Sequence, residues 1–126
     1  MKRIYALLII MPVSLAFQLM PQWPWWTYLI ACFITGFFLP FKKWHASAFA
    51  SGCISGCAIW VGATLFFNSH YPGKLLDTVA LLLLVPYPAL LLIIGIIGAI
   101  LSGLSVYAGF LLRRGQVETR LNLAKM

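Results

Sequence analysis

Apolar positions in this chain gather into long uninterrupted runs, and the charged residues collect in the gaps between them. Ile4 to Met20 is interrupted only by Pro12, Ser14 and Gln18, Trp25 to Phe41 ends at Pro40 and Lys42-Lys43, and Ala46 to Ala63 carries no charge. Neither a two-residue alternation nor a single apolar stripe describes such runs, which read as helices in lipid, where about 20 apolar residues make a crossing. The pattern predicts spans over residues 4–20, 25–41, 45–67 and 89–112.

The gaps have their own chemistry. Pro21-Gln22-Trp23-Pro24-Trp25-Trp26 joins helix-breaking prolines to tryptophans that settle in the headgroup layer, and predicts an uncharged interfacial turn. At the other face Lys42-Lys43 stands beside Trp44 and His45, and Pro72-Gly73 marks a further turn. Leu75 to Leu112 as one straight helix would be roughly 57 Å long, nearly twice the hydrocarbon thickness. Pro86 and Pro88 divide it into a short segment, 75–85, and a full span, 89–112. The expected fold is therefore an all-α integral membrane protein with four transmembrane helices, a short proline-bounded interfacial or re-entrant helix before the last span, and a basic tail over 113–126. Residues 1–126 form one polytopic membrane domain.

Composition agrees with this picture. The chain is 63% hydrophobic and only 9% charged, with mean hydropathy +0.97; soluble domains carry about a quarter charged residues. A net charge of +7 would suit nucleic acid if the cations shared one surface, but they alternate with apolar runs. Four spans place Lys2, Arg3, Lys42, Lys43, Arg113, Arg114, Arg120 and Lys125 on one side and Lys74 on the other. The positive-inside rule then predicts an inner-membrane protein with both termini in the cytoplasm. A fifth span over 75–85 would move Arg113 and Arg114 across. Lys2-Arg3, the apolar run and Ser14-Leu15-Ala16 also fit a signal peptide. After Gly115, Val117, Leu121 and Ala124 recur at helical spacing among Glu118, Arg120 and Lys125, which predicts either a short surface helix on anionic lipid or a solvated basic end.

Small residues carry the packing signal. Ala48, Gly52 and Gly56 form one ridge of the central helix, and Ala46, Ala50, Cys53 and Cys57 another; the last span repeats the theme at Gly95, Gly98, Ala99, Ser102, Gly103 and Gly109. Such ridges let backbones approach closely in lipid. They predict that these two helices pack through Ala48, Gly52, Gly56, Gly95, Ala99 and Gly103, leaving a ridge for a second partner.

Candidate chemistry is sparse. Asp77, the one acid within the apolar region, suits either an ion site or the start of a short helix. With Ser51, Ser55 and Ser102 it forms the candidate transport set, to which Ser47 and Thr64 would add lining. His45 and His70 lie 25 residues apart, roughly 37 Å along a helix, too far for one centre. Cys53 and Cys57 share a face and suit a thiophilic metal only with a third ligand. The three cysteines include an odd one and lie within predicted spans, against a disulfide framework. No metal or cofactor site is expected. Phosphate loops, nucleophile elbows and zinc-helix motifs are missing from the sequence.

The chain resembles small multidrug exporters in size, but their first-span glutamate has no counterpart in Ile4 to Met20. It is similar to fluoride channels in length and small-residue content, without their early Gly-Gly and Arg pattern. The expectation is a non-enzymatic accessory or assembly subunit that packs in the bilayer with itself or with a larger membrane complex and binds no nucleic acid. The alternatives are a homo-oligomeric channel or carrier for a small solute or ion, and a lipid-binding protein.

Overall fold

A computed structural model describes residues 2–18, 22, 24, 26–39, 41, 47–70 and 75–126. Among the described residues are five helices: α1, Lys2–Gln18; α2, Thr27–Phe38; α3, Ala48–His70; α4, Leu75–Leu83; and α5, Tyr87–Ala124. By length and apolarity α3 and α5 are able to cross a membrane, while α2 and the apolar part of α1, Leu7–Phe17, are shorter. This all-helical architecture is consistent with a helical membrane protein. The expected anchors Lys42, Lys43, Trp44 and His45, and the Tyr71–Lys74 turn, lie outside the described residues.

Local chemistry sets the helix ends. α2 stops short of residue 41 because Leu39 precedes Pro40 and is held extended, at φ −73° and ψ 133°. At 12 residues α2 is roughly 18 Å long, well under a crossing of about 30 Å. α3 begins at Ser47, whose Oγ accepts the Ala50 N–H at 3.3 Å. α4 ends two residues before the expected boundary, since Leu84 N–H bonds Leu81 O and Val85 N–H bonds Ala80 O, the paired reverse bonds of a Schellman cap. That cap needs a left-handed residue, and Leu84 fills it at φ 54°. Pro86 then caps the start of α5.

The largest departure from expectation is at the C-terminus. α5 is one unbroken helix of 38 residues, so 113–126 is no separate tail: Gly115 lies inside the helix, and the basic segment continues it as far as Ala124. An exposed helical glycine costs only about 1 kcal/mol, too little to end a helix this well anchored upstream.

Although Ala46 to Ala63 looks like the organising stretch, α5 is the hub. It packs against α2, α3 and α4, while α1 packs against α2 and α3. α3 runs antiparallel to α5: Gly52 meets Gly103 near the start of α3, and Val61 meets Gly95 further on. α2 runs parallel to α5, with Gly36 against Val106 and Leu39 beside Arg113. The end of α2, the start of α3 and the Arg113 turn therefore share one end of the bundle.

Packing is inverted relative to a water-soluble protein. The wholly buried side chains include Ser14, Ser55 and Ser102, whereas Leu8, Phe38, Leu81, Leu82 and Leu92 are exposed. Small and polar residues inside with large apolar ones outside suits a lipid surround, because lipid offers no drive to bury leucine.

One polar contact locks the hub. Arg113 Nη1 donates to Phe38 O at 2.9 Å and to Leu39 O at 3.0 Å, the latter also accepting from the Phe41 N–H at 3.0 Å, and so adds a charged donor to carbonyls at the end of α2. Hydrogen bonds to charged groups contribute about 1.5–3 kcal/mol. Arg113→Ala is expected to lower the unfolding free energy by about 2 kcal/mol, measured as the SDS-induced unfolding midpoint in mixed micelles. Arg114→Ala, which removes a neighbouring exposed cation, should leave it within about 0.5 kcal/mol.

Candidate functional site

Most of the serines and threonines proposed as a solute path are engaged with their own helix. Ser51 Oγ donates to Ser47 O at 3.0 Å, Ser55 Oγ to Ser51 O at 2.9 Å, and Thr64 Oγ1 to Trp60 O at 2.7 Å. Thr35 does the same with Ala31 O at 2.6 Å. Such back-bonding satisfies the hydroxyls where they stand and leaves little to offer a passing solute.

Ser102 differs. It is wholly buried, and its Oγ has no hydrogen-bond partner. Beside it lie the Tyr28 phenol and the Cys32 thiol from α2. Tyr28 also faces the Trp60 indole, with ring centroids 5.7 Å apart in an edge-on arrangement. Tyr28 Oη and Trp60 Nε1 are likewise buried and unpaired. Ser14 of α1 completes the cluster, its Oγ 3.4 Å from Cys32 Sγ. Four helices thus bring five polar side chains to one buried place.

Glycines set this geometry. A Cβ on Gly56 would run into the Ser102 side chain and lie 2.5 Å from Gly98 O, and one on Gly98 would lie 2.5 Å from Trp60 Cγ. Bare backbone at both positions lets α3 and α5 close until Ser102 and Trp60 are pinned between them. The other packing candidates line the same interface. A Cβ on Gly95 would lie 3.1 Å from both Cys57 Sγ and Val61 Cγ2, and one on Gly103 would lie 2.5 Å from Cys53 Sγ. Ala48 is buried in the cluster that holds Val106, and Ala99 is half-buried.

Asp77 stands apart. It occupies the first turn of α4 and is exposed, and α4 meets α5 where Leu76 and Ala80 pack on Leu90. Ser102 is 12 residues further along α5, roughly 18 Å away. The structure therefore does not gather Asp77 with Ser51, Ser55 and Ser102. His70 stacks on Phe66 at 4.2 Å, and among the described residues no three of His, Cys, Asp and Glu come together.

A second feature opens between α1 and α3. Met11 and Leu15 face Ala58, Ile59, Gly62, Ala63, Phe66 and Phe67 across a groove of about 450 Å³. At Gly62 an added Cβ would meet nothing within 4 Å.

No protein-family profile matches the chain, and neither a curated protein nor a solved structure does.

Sequence spacing missed Tyr28 and Trp60. Tyr28, two residues after Trp26, looks like a headgroup anchor, and only the packing of α2 on α5 brings it beside Ser102. A lone serine inside a glycine ridge was the available signal for Ser102.

Proposed function

We propose that this chain is a non-enzymatic, multi-pass accessory or assembly subunit of the cytoplasmic membrane, with both termini cytoplasmic, which receives an apolar helix of a partner in the groove between α1 and α3. The groove carries the reading. The ridges at Gly52, Gly56, Gly95 and Gly103 are consumed within the chain, whereas Ala58 and Gly62, four residues apart on α3, line an unfilled apolar recess. A small pair at that spacing lets a second helix approach closely. The orientation is supported by the cations, eight of nine on one side in a four-span threading, and by Arg113 standing at the end of the bundle where α2 finishes.

Crosslinking tests this. In a background of Cys32→Ala, Cys53→Ala and Cys57→Ala, single cysteines at Ala58 and Gly62 are expected to form intermolecular products in native membranes, while one at the interior position Gly103 should not. A product of twice the chain mass marks a homo-oligomer, and a heavier one a larger complex. Absence of an intermolecular product at both positions would sink the reading. If photoactivatable phospholipid labels Gly62→Cys and no protein does, the groove holds an acyl chain and the function is lipid handling.

A small-solute carrier is the second reading, favoured by the buried unpaired atoms of Tyr28, Trp60 and Ser102. It requires flux in proteoliposomes that Ser102→Ala abolishes.

A further inference from the structure

The meeting point of Tyr28, Trp60 and Ser102 has a chemistry that neither packing nor groove docking uses. The three residues come from α2, α3 and α5, and Tyr28 and Ser102 are 2% and 0% exposed. Their polar atoms are buried, and although the Tyr28 hydroxyl lies within reach of Trp60 and Ser102, none of the three is paired at hydrogen-bonding geometry. Buried polar groups are seldom left without partners, because taking them from water without a new bond is unfavourable. Nor can these three rearrange freely to bond one another, since Gly56 holds Ser102 and Gly98 holds the root of the Trp60 ring.

The donor inventory narrows what fits. An indole N–H only donates, whereas phenol and serine hydroxyls both donate and accept. The guest must therefore accept from Trp60 and exchange hydrogen bonds of either sense with Tyr28 and Ser102. Net charge is disfavoured: no ionised group belongs to the cluster, and the nearest cation along α5, Arg113, is committed to the Phe38 and Leu39 carbonyls 11 residues on. An unneutralised ion in a dry interior is far costlier than a neutral polar group.

We infer that Tyr28, Trp60 and Ser102 form a binding site for one neutral, water-sized hydrogen-bonding guest, a structural water molecule, which accepts from the Trp60 indole and bridges the Tyr28 and Ser102 hydroxyls. Three hydrogen bonds are what buried waters ordinarily make. The site is a tie rather than a passage: it joins α2, α3 and α5 through one molecule, and the Ser14–Cys32 contact beside it draws in α1.

The test is solution NMR of the full chain in micelles with ¹⁵N-labelled tryptophan. Five indole signals are expected from the five tryptophans, and Trp60→Phe assigns one of them; should that variant not fold, the chain with Trp23, Trp25, Trp26 and Trp44 all changed to Phe leaves Trp60 as the single indole. The Trp60 Nε1 proton should show a cross-peak to water of the sign given by a long-lived bound molecule. In Ser102→Ala or Tyr28→Phe, whichever folds, that cross-peak should fall at least threefold with the rest of the spectrum retained. A Trp60 signal with no water cross-peak overturns the inference, as does a cross-peak unchanged in the folded variants. A shift of the signal on titration with chloride also overturns it, by showing that the guest is an anion.

Discussion

Gly36→Ala and Gly109→Ala are each expected to destabilise this protein by about 3 kcal/mol or more, enough to shift most of the chain out of the folded peak in detergent size exclusion. Both positions lie where α2 and α5 touch backbone to backbone. A Cβ on Gly36 would strike the Val106 carbonyl, and one on Gly109 would strike the Phe33 carbonyl and lie 2.9 Å from Phe37 N. Flexible side chains can swing away from an added methyl group, but main chain inside a helix cannot move without carrying the helix with it. The two helices would have to separate, releasing the contacts around Tyr28, Cys32 and Val106. Gly62→Ala and Gly115→Ala provide the contrast. Nothing lies within 4 Å of either added Cβ, so the helix preference of alanine should leave stability unchanged or raise it by up to about 1 kcal/mol. One substitution, made at four glycines, thus changes sign with what stands opposite. Equal losses at all four positions would show that glycine flexibility, not close approach, is what matters.

Gly98→Ala is expected to have the next largest effect, about 2 kcal/mol, read from the SDS unfolding midpoint. Its Cβ would sit 2.5 Å from Trp60 Cγ, 2.6 Å from Cδ1 and 2.8 Å from Cβ. These atoms are the stiff root of the side chain, so a rotamer change alone does not relieve the clash. If the loss comes from that contact, it should shrink by at least half when Trp60→Ala is already present, since contacting residues are non-additive in stability. Full additivity would place the cost elsewhere.

What the sequence disclosed depended on how local each signal was. Pro24, Pro40 and Pro86 bound helices through the backbone next to them, and runs of apolar residues declare helices in lipid without reference to a fold. The residues of the α3–α5 interface were legible because Gly52, Gly56, Gly95 and Gly103 recur at helical spacing. The α2–α5 contact was not, since Gly36 is the single glycine of α2, with only Cys32 four positions before it and Pro40 four positions after, and its importance comes from the Val106 backbone opposite. Arg113 shows the same limit. Counted along the chain it is one cation among nine, and only the finished lengths of α2 and α5 bring its guanidinium to the Phe38 and Leu39 carbonyls. The polar cluster was the least legible, because Tyr28, Trp60 and Ser102 lie far apart in the chain and none belongs to a motif.

The continuity of α5 settles something about its last turns that a hinged tail would leave open. With about 100° between successive helical residues, Val117, Leu121 and Ala124 fall on the same side of the rod as Val106 and Phe110. Val106 is buried between α2 and α3, and Phe110 packs edge-on against Phe41 at 6.1 Å. The bearing of the exposed end is therefore fixed by the packed end. Whatever meets Val117 and Leu121 must come from the side of the bundle where α2 and α3 meet on α5, as a compass needle held at one pole has no freedom at the other.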